Sequence, residues 1–209
     1  MFQELHSREE DILHWKKFLS GDDKSYAYFY QKYVRILFSY GMRFTLDKEL
    51  IKDCIQDVFV KLYSNRSKLK HINKIQVYLF ISLKNKLYTV FQKDRINYQI
   101  DTIEPVFCID YTAEERMIAE EQEQEEQKKL NRILDSLTPR QKEVVYYRYV
   151  QGMELDEICK LMDVNYQSLQ NLIQRSIQKI RKTFDETNTV QSAKKRISLI
   201  TKQEQHYAK

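Results

Sequence analysis

Three glycines and two prolines are spread over 209 residues, and that scarcity limits the fold more than any other feature. Tight β-hairpin turns draw on glycine, asparagine and proline to reach their backbone angles, so a chain this poor in two of the three reads as helical throughout. The expectation is an all-α fold. With 42% hydrophobic and 31% charged residues, the chain can bury one or two small cores and is neither disordered overall nor membranous. The longest apolar run, Val77 to Leu83, is far too short to span a bilayer, and the first ten residues do not read as a signal peptide. A cytoplasmic protein with no membrane insertion is expected.

The helical pattern is clearest from Leu134 to Arg181. Thr138-Pro139-Arg140-Gln141 places a capping Thr before a Pro at the first helical position, with Gln three residues after the Thr, which is a capping box. Leu130, Ile133, Leu134 and Leu137 recur at helical spacing before it, and Val144, Val145 and Tyr149 after it, until Gly152 stops the pattern. Leu155, Ile158 and Leu161 then form one apolar stripe. A short polar turn follows at Asp163-Val164-Asn165, and Leu169, Leu172, Ile173, Ile177 and Ile180 form another stripe. Helix, tight turn, helix is the pattern of a helix-turn-helix.

In the last helix those apolar residues claim one face, so Tyr166, Gln167, Ser168, Gln170, Asn171, Gln174, Arg175 and Lys179 are expected to face outward. Gln and Asn amides can pair bidentately with adenine in the major groove, and Arg with guanine or phosphate. A helix N-terminus itself favours a phosphate. DNA is therefore the first partner to expect, against the plainer alternative of a solvated helix face.

The net charge of +5 conceals a division along the chain. Residues 1–95 carry 18 basic and 11 acidic side chains, 96–127 carry 1 and 10, 128–182 carry 11 and 6, and 183–209 carry 5 and 3. Two basic domains thus bracket an acidic connector, which serves as a solvated spacer or as the exposed start of the helix leading into Leu130. Cys54, Cys108 and Cys159 are scattered, and the four His form no cluster with them. No disulfide, metal site or cofactor is expected. Neither a phosphate-cradling glycine loop nor a persuasive catalytic arrangement is present, so no enzyme is expected.

Leu137-Thr-Pro-Arg-Gln-Lys-Glu-Val144, Gly152, Glu157-Ile158 and Ile180-Arg181-Lys182 resemble region four of a bacterial sigma factor of the extracytoplasmic-function (ECF) group. Upstream, Gly21-Asp22, Ala27, Phe29-Tyr30 and Tyr33 resemble the opening of region two. Asp53-Cys-Ile-Gln-Asp-Val-Phe-Val-Lys-Leu62 resembles its polymerase-binding motif, and Tyr78-Leu79-Phe80 with Lys84-Asn85 its promoter-melting helix. The resemblance covers about residues 20 to 182. It implies region two over 1–95, an acidic linker over 96–127, a region-four helix-turn-helix over 128–184 and a polar, basic tail over 185–209. Its implied partners are core RNA polymerase, promoter DNA and an anti-sigma factor, often membrane-anchored. Tyr166-Gln-Ser-Leu-Gln-Asn-Leu-Ile-Gln-Arg-Ser is similar to members from the Bacteroidetes lineage. The chain departs from the commonest pattern in having Gln170 and Leu172 where many members carry Lys or Arg, and Asp163 where the turn is often Gly; Asp can take a left-handed conformation at some cost.

In the helix around Glu49 to Tyr63, an apolar stripe of Leu50, Cys54, Ile55, Val58, Phe59 and Leu62 leaves Asp53, Gln56 and Asp57 as one outward patch. By resemblance this patch, with Lys61, grips the polymerase. Arg66, Lys68, Lys70 and Lys74 form a basic, flexible loop suited to single-stranded DNA. On the next helix, Leu79, Leu83, Leu87, Val90 and Phe91 are expected to pack inward, with Lys84, Asn85, Tyr88, Gln92 and Lys93 free to face DNA. Arg66, Lys68, Lys84, Asn85 and Tyr88 form the minus-ten candidates. The tail after Phe184 reads as a disordered end in preference to a short partner-binding helix. Two function classes remain: a promoter-specificity subunit of RNA polymerase, and an ordinary operator-binding regulator, which would not need the Asp53, Gln56, Asp57 patch.

Overall fold

Polar residues ahead of apolar runs start the helices, as their chemistry requires. Asp22 caps α2 (Asp23–Gly41) by accepting the Ser25 N–H at 3.0 Å, and Gly21 makes the preceding bend at φ 101°. Asp47 caps α3 (Lys48–Ser64) by accepting the Leu50 N–H at 3.0 Å. In this computed structural model the backbone is described for residues 2–69, 74–98, 107–108 and 121–207, and side chains for 9–69, 74–93, 107–108 and 128–187. Among the described residues there are eight α-helices and no strand. The chain divides into two compact units, Met1–Val106 and Phe107–Lys209.

The first unit packs α1 (Phe2–Leu19) on α2, and sets α2 and α3 against each other and against α4 (Ile75–Tyr98). Its core is aromatic at the α1–α2 seam, where Trp15, Phe18 and Phe29 meet, and mixed deeper in, where Tyr40 lies against Phe80 at 4.5 Å between ring centroids. Asp11 organises the outer edge of the first seam by accepting from Tyr28 (2.9 Å), Tyr33 (2.8 Å) and Lys32. Burial, reinforced by that carboxylate, pushes the Tyr33 phenol above its ordinary range. The apolar stripe of α3 differs from expectation at its start: Ile51 is fully buried and Leu50 only half-buried. Gly41 explains this, because its missing side chain leaves room for Ile51, whose Cγ2 would lie 2.6 Å from a Cβ at that position.

The second unit consists of α5 (Glu121–Ser136), α6 (Pro139–Val145), a π-helical turn (Tyr146–Val150), α7 (Leu155–Met162) and α8 (Tyr166–Tyr207). The expected capping box is present: Thr138 Oγ1 accepts the Gln141 N–H at 3.3 Å, and Gln141 Oε1 accepts the Thr138 N–H at 3.0 Å. Asp163 ends α7 in the left-handed region, at φ 52° and ψ 56°. Asn165 then caps α8 by accepting the Ser168 N–H at 2.8 Å. Leu134, Leu137, Val144, Tyr146, Tyr147, Met153, Ile158, Leu161 and Leu169 fill the core. Phe107, from the stretch expected as a connector, is buried among them against Tyr146 and Tyr147.

The C-terminal segment departs from expectation. Helix α8 continues through Tyr207 rather than ending near Phe184, so the segment is neither a disordered end nor a separate short helix. Beyond Gly152 there is no further Gly or Pro to interrupt it, and residues such as Lys, Arg, Gln, Glu and Ala sustain a helix.

Candidate nucleic-acid interface

Asn165 fixes where α8 begins, and the pitch of the helix then sorts its side chains. All eight residues expected to face outward (Tyr166, Gln167, Ser168, Gln170, Asn171, Gln174, Arg175 and Lys179) are exposed. Gln167 Nε2 donates weakly to Asn171 Oδ1 at 3.4 Å, so those two amides are aligned one helical turn apart. The inward face is narrower than expected. Leu169 is fully buried, whereas Leu172, Ile173, Ile177 and Ile180 are half-buried, and Ser176 occupies the fully buried position two turns on. Its hydroxyl is satisfied within the helix by donating to the Leu172 carbonyl at 2.7 Å.

An open groove of about 570 Å³ runs along one side of α8. The amides of Gln167, Gln170, Asn171 and Gln174 line it together with Ile173, Ile177, Leu155 and two cations, Arg148 and Arg181. Tyr166, Ser168, Arg175 and Lys179 are not among its lining residues. Sequence reasoning missed Arg148. It sits in the π-helical turn, a widened turn that recurs at functional sites, and its Nη1 donates to the Met153 carbonyl at 2.9 Å and lies 3.7 Å from the Glu154 carboxylate. The available signal was a single cation inside the run Val144–Val150, otherwise made of Val and Tyr.

In the first unit, Asp53, Gln56, Asp57 and Lys61 are all exposed on α3, as expected. Asp57 differs from the other three in being ion-paired with Lys86 of α4. Phe59 is buried beneath and meets Tyr30 at 4.9 Å between centroids, so it supports this surface from within.

The segment after α3 is not wholly a loop. Arg66–Lys68 is a 3-10 turn, and the Arg66 guanidinium lies 4.6 Å from the centroid of the Tyr63 ring while donating to the Tyr63 carbonyl at 3.2 Å. Arg66 is thus half-buried and Lys68 exposed. Lys70 lies outside the described residues. On α4, Leu79, Leu83 and Leu87 are buried as expected, and Val90 and Phe91 half-buried. Asn85 is exposed; Lys84 and Tyr88 are half-buried, with the Lys84 ammonium 6.0 Å from the centroid of the Tyr88 ring. Tyr88 also meets Phe44 edge-on at 6.1 Å, which leaves it only part of a ring face to offer a base.

A bundle carrying an acidic surface patch beside a basic turn, and a helix-turn-helix unit with an amide-lined helix, define a helical nucleic-acid-binding protein with two working units. Residues 29–95 match the family model described as Sigma-70 region 2, and residues 127–180 match that described as Sigma-70, region 4. Together these cover more than half of the chain, which belongs to the sigma-70 family: it is a transcription-initiation factor whose partners are core RNA polymerase and promoter DNA. Two solved structures share the fold. CnrH, in complex with the cytosolic domain of CnrY, is 15% identical with a TM-score of 0.57 over 84% of this chain and 97% of its own. The sigma factor RpoE in complex with the anti-sigma factor NepR from Bartonella quintana is 15% identical with a TM-score of 0.52, covering 75% of this chain and 96% of its own. No curated protein sequence matches the chain. Among the described residues no helix is long and apolar enough to cross a membrane.

Proposed function

We propose that the protein is an ECF-type sigma factor in which residues 1–95 bind core polymerase and open the minus-ten element, 96–127 link, and 128–184 read the minus-thirty-five element. Asp53, Gln56, Asp57 and Lys61 meet the polymerase. Lys68, Lys84 and Asn85 hold the displaced strand, with Arg66 and Tyr88 as flanking stacking surfaces. Gln167, Gln170, Asn171 and Gln174 read base edges; Tyr166, Ser168, Arg175 and Lys179 grip the backbone, joined by Arg148 from across the groove. Nucleotide addition itself belongs to the polymerase. The observation that carries this reading is the order of the two family matches along the chain, each falling within its own compact unit.

An anti-sigma partner fits the same reading, since the RpoE structure is described as a complex with one. Purified protein, bare core polymerase and a library of promoter fragments, scored by run-off transcription, test the whole. Transcripts that depend on this protein with no other factor added are expected. Promoter binding without such transcripts would instead mark an operator-binding regulator.

A further inference from the structure

Within the α3 patch, three side chains stand free and one does not. Those of Asp53, Gln56 and Lys61 are exposed and make no hydrogen bond or ion pair among the described residues. Asp57 is held through Oδ2 by the Lys86 ammonium, which crosses the α3–α4 seam to reach it. The lysine is the more enclosed partner, with 31% of its side chain exposed against 52% for the aspartate. Hydrogen bonding to the carboxylate keeps the ammonium charged above the usual lysine range, while burial opposes this. The other titratable neighbour is Cys54 of α3, whose thiol is pushed up chiefly by burial.

An ion pair this open to solvent adds little to folding, so its consequence lies in what it does to Asp57. An unrestrained aspartate samples several rotamers, and ordering such a side chain on association costs affinity. With Oδ2 held by Lys86, the half-exposed carboxylate is confined in orientation and keeps Oδ1 as a further acceptor. We propose that Lys86 is a positioning residue for the polymerase contact: from α4 it fixes the Asp57 carboxylate that α3 presents. This rests on the reading of the α3 patch as the polymerase-binding surface.

The test measures core-polymerase affinity of the full chain for Lys86→Met, which keeps an unbranched aliphatic stem, and for Lys86→Arg, Asp57→Ala and Lys86→Met with Asp57→Ala. Lys86→Met is expected to weaken binding about two- to tenfold, the factor corresponding to ordering one side chain. Lys86→Arg should retain most of the affinity, and Lys86→Met should add nothing once Asp57 is Ala. Unfolding followed by Trp15 fluorescence should be nearly unchanged throughout, which separates positioning from a structural role. If Asp57→Ala weakens binding but Lys86→Met does not, the inference is overturned while the patch stands. A loss from Lys86→Met that persists in the Asp57→Ala background also overturns it, because Lys86 would then touch the polymerase itself. If Asp57→Ala changes nothing, Asp57 is not a polymerase contact and the inference is overturned, while the rest of the patch is judged by the Asp53→Ala with Asp57→Ala variant.

Discussion

Gly41→Ala is expected to destabilise the first unit by about 1 to 2 kcal/mol, the net of two opposing effects. A Cβ at residue 41 would lie 2.6 Å from Ile51 Cγ2 and 3.2 Å from Cγ1, against about 3.5–4.0 Å for an unstrained carbon pair. Relieving that contact needs a shift of roughly 1 Å. Ile51 is fully buried and β-branched, hence stiff at χ1. Overpacking of this kind costs about 1–3 kcal/mol. Against it stands the helix propensity of Ala over Gly, at most about 1 kcal/mol and less here because Gly41 is the last residue of α2. Urea unfolding followed by fluorescence isolates the effect, since the chain's single tryptophan, Trp15, lies in the core of this unit. Ile51→Ala should itself cost about 2–5 kcal/mol, and combining the two should be sub-additive because the truncated side chain vacates the contested space. A Gly41→Ala protein as stable as the parent, or strict additivity in the double variant, would refute the reasoning. The variant also serves function: it loosens the α2–α3 seam without touching Asp53 or Asp57, so at low denaturant its polymerase affinity should fall only by its unfolded fraction.

Asp53→Ala combined with Asp57→Ala should weaken core binding while leaving circular dichroism unchanged, since exposed positions normally alter stability by less than about 0.5 kcal/mol; unchanged affinity would remove the patch from the interface. Asn85→Ala and Lys68→Ala should slow open-complex formation on duplex promoters more than on templates already mismatched at the minus-ten element, where the unpairing cost is gone. Equal defects on both templates would indicate general phosphate binding. Exchanging Gln170 for Lys should change which minus-thirty-five bases are preferred, by roughly 1–3 kcal/mol at the affected pair. Arg175→Ala should instead weaken all sites alike and flatten the salt dependence by about one phosphate contact; loss of preference at a single base pair with an unchanged salt slope would make Arg175 a base reader.

What could be read from the sequence was whatever local chemistry dictates. Thr138 and Gln141 can cap one another from adjacent turns without help from the rest of the chain, and both halves of that box are present. Asp163 tolerates the left-handed region because its short polar side chain lowers the steric cost, and it does occupy that region. The outward set on α8 followed from pitch alone. The long-range contacts were not legible. Periodicity could not say that Gly41 would draw Ile51 inward in place of Leu50, nor that Phe107, in a short apolar run within the acidic connector, would pack on Tyr146 and Tyr147 some 40 residues later. Nor could it show Arg66 lying on its own neighbour, Tyr63, instead of extending from a flexible loop.

The same distinction accounts for the shape of the α8 surface. Periodicity gives the direction a side chain takes, but how deeply it is buried depends on where the covering helix ends. Helix α7 has only eight residues, and its first residue, Leu155, lines the groove that Ile173 and Ile177 share. Those isoleucines fall near the buried Leu169 side of α8 as their spacing predicts, yet they line the open groove and remain half-buried. Leu155, Ile173 and Ile177 thus add an apolar strip to the groove that the amides of α8 and Arg148 also line. In the proposed interface this strip is a suitable neighbour for the methyl group that distinguishes thymine in the major groove, so residues that the sequence assigned to packing also border the surface assigned to reading.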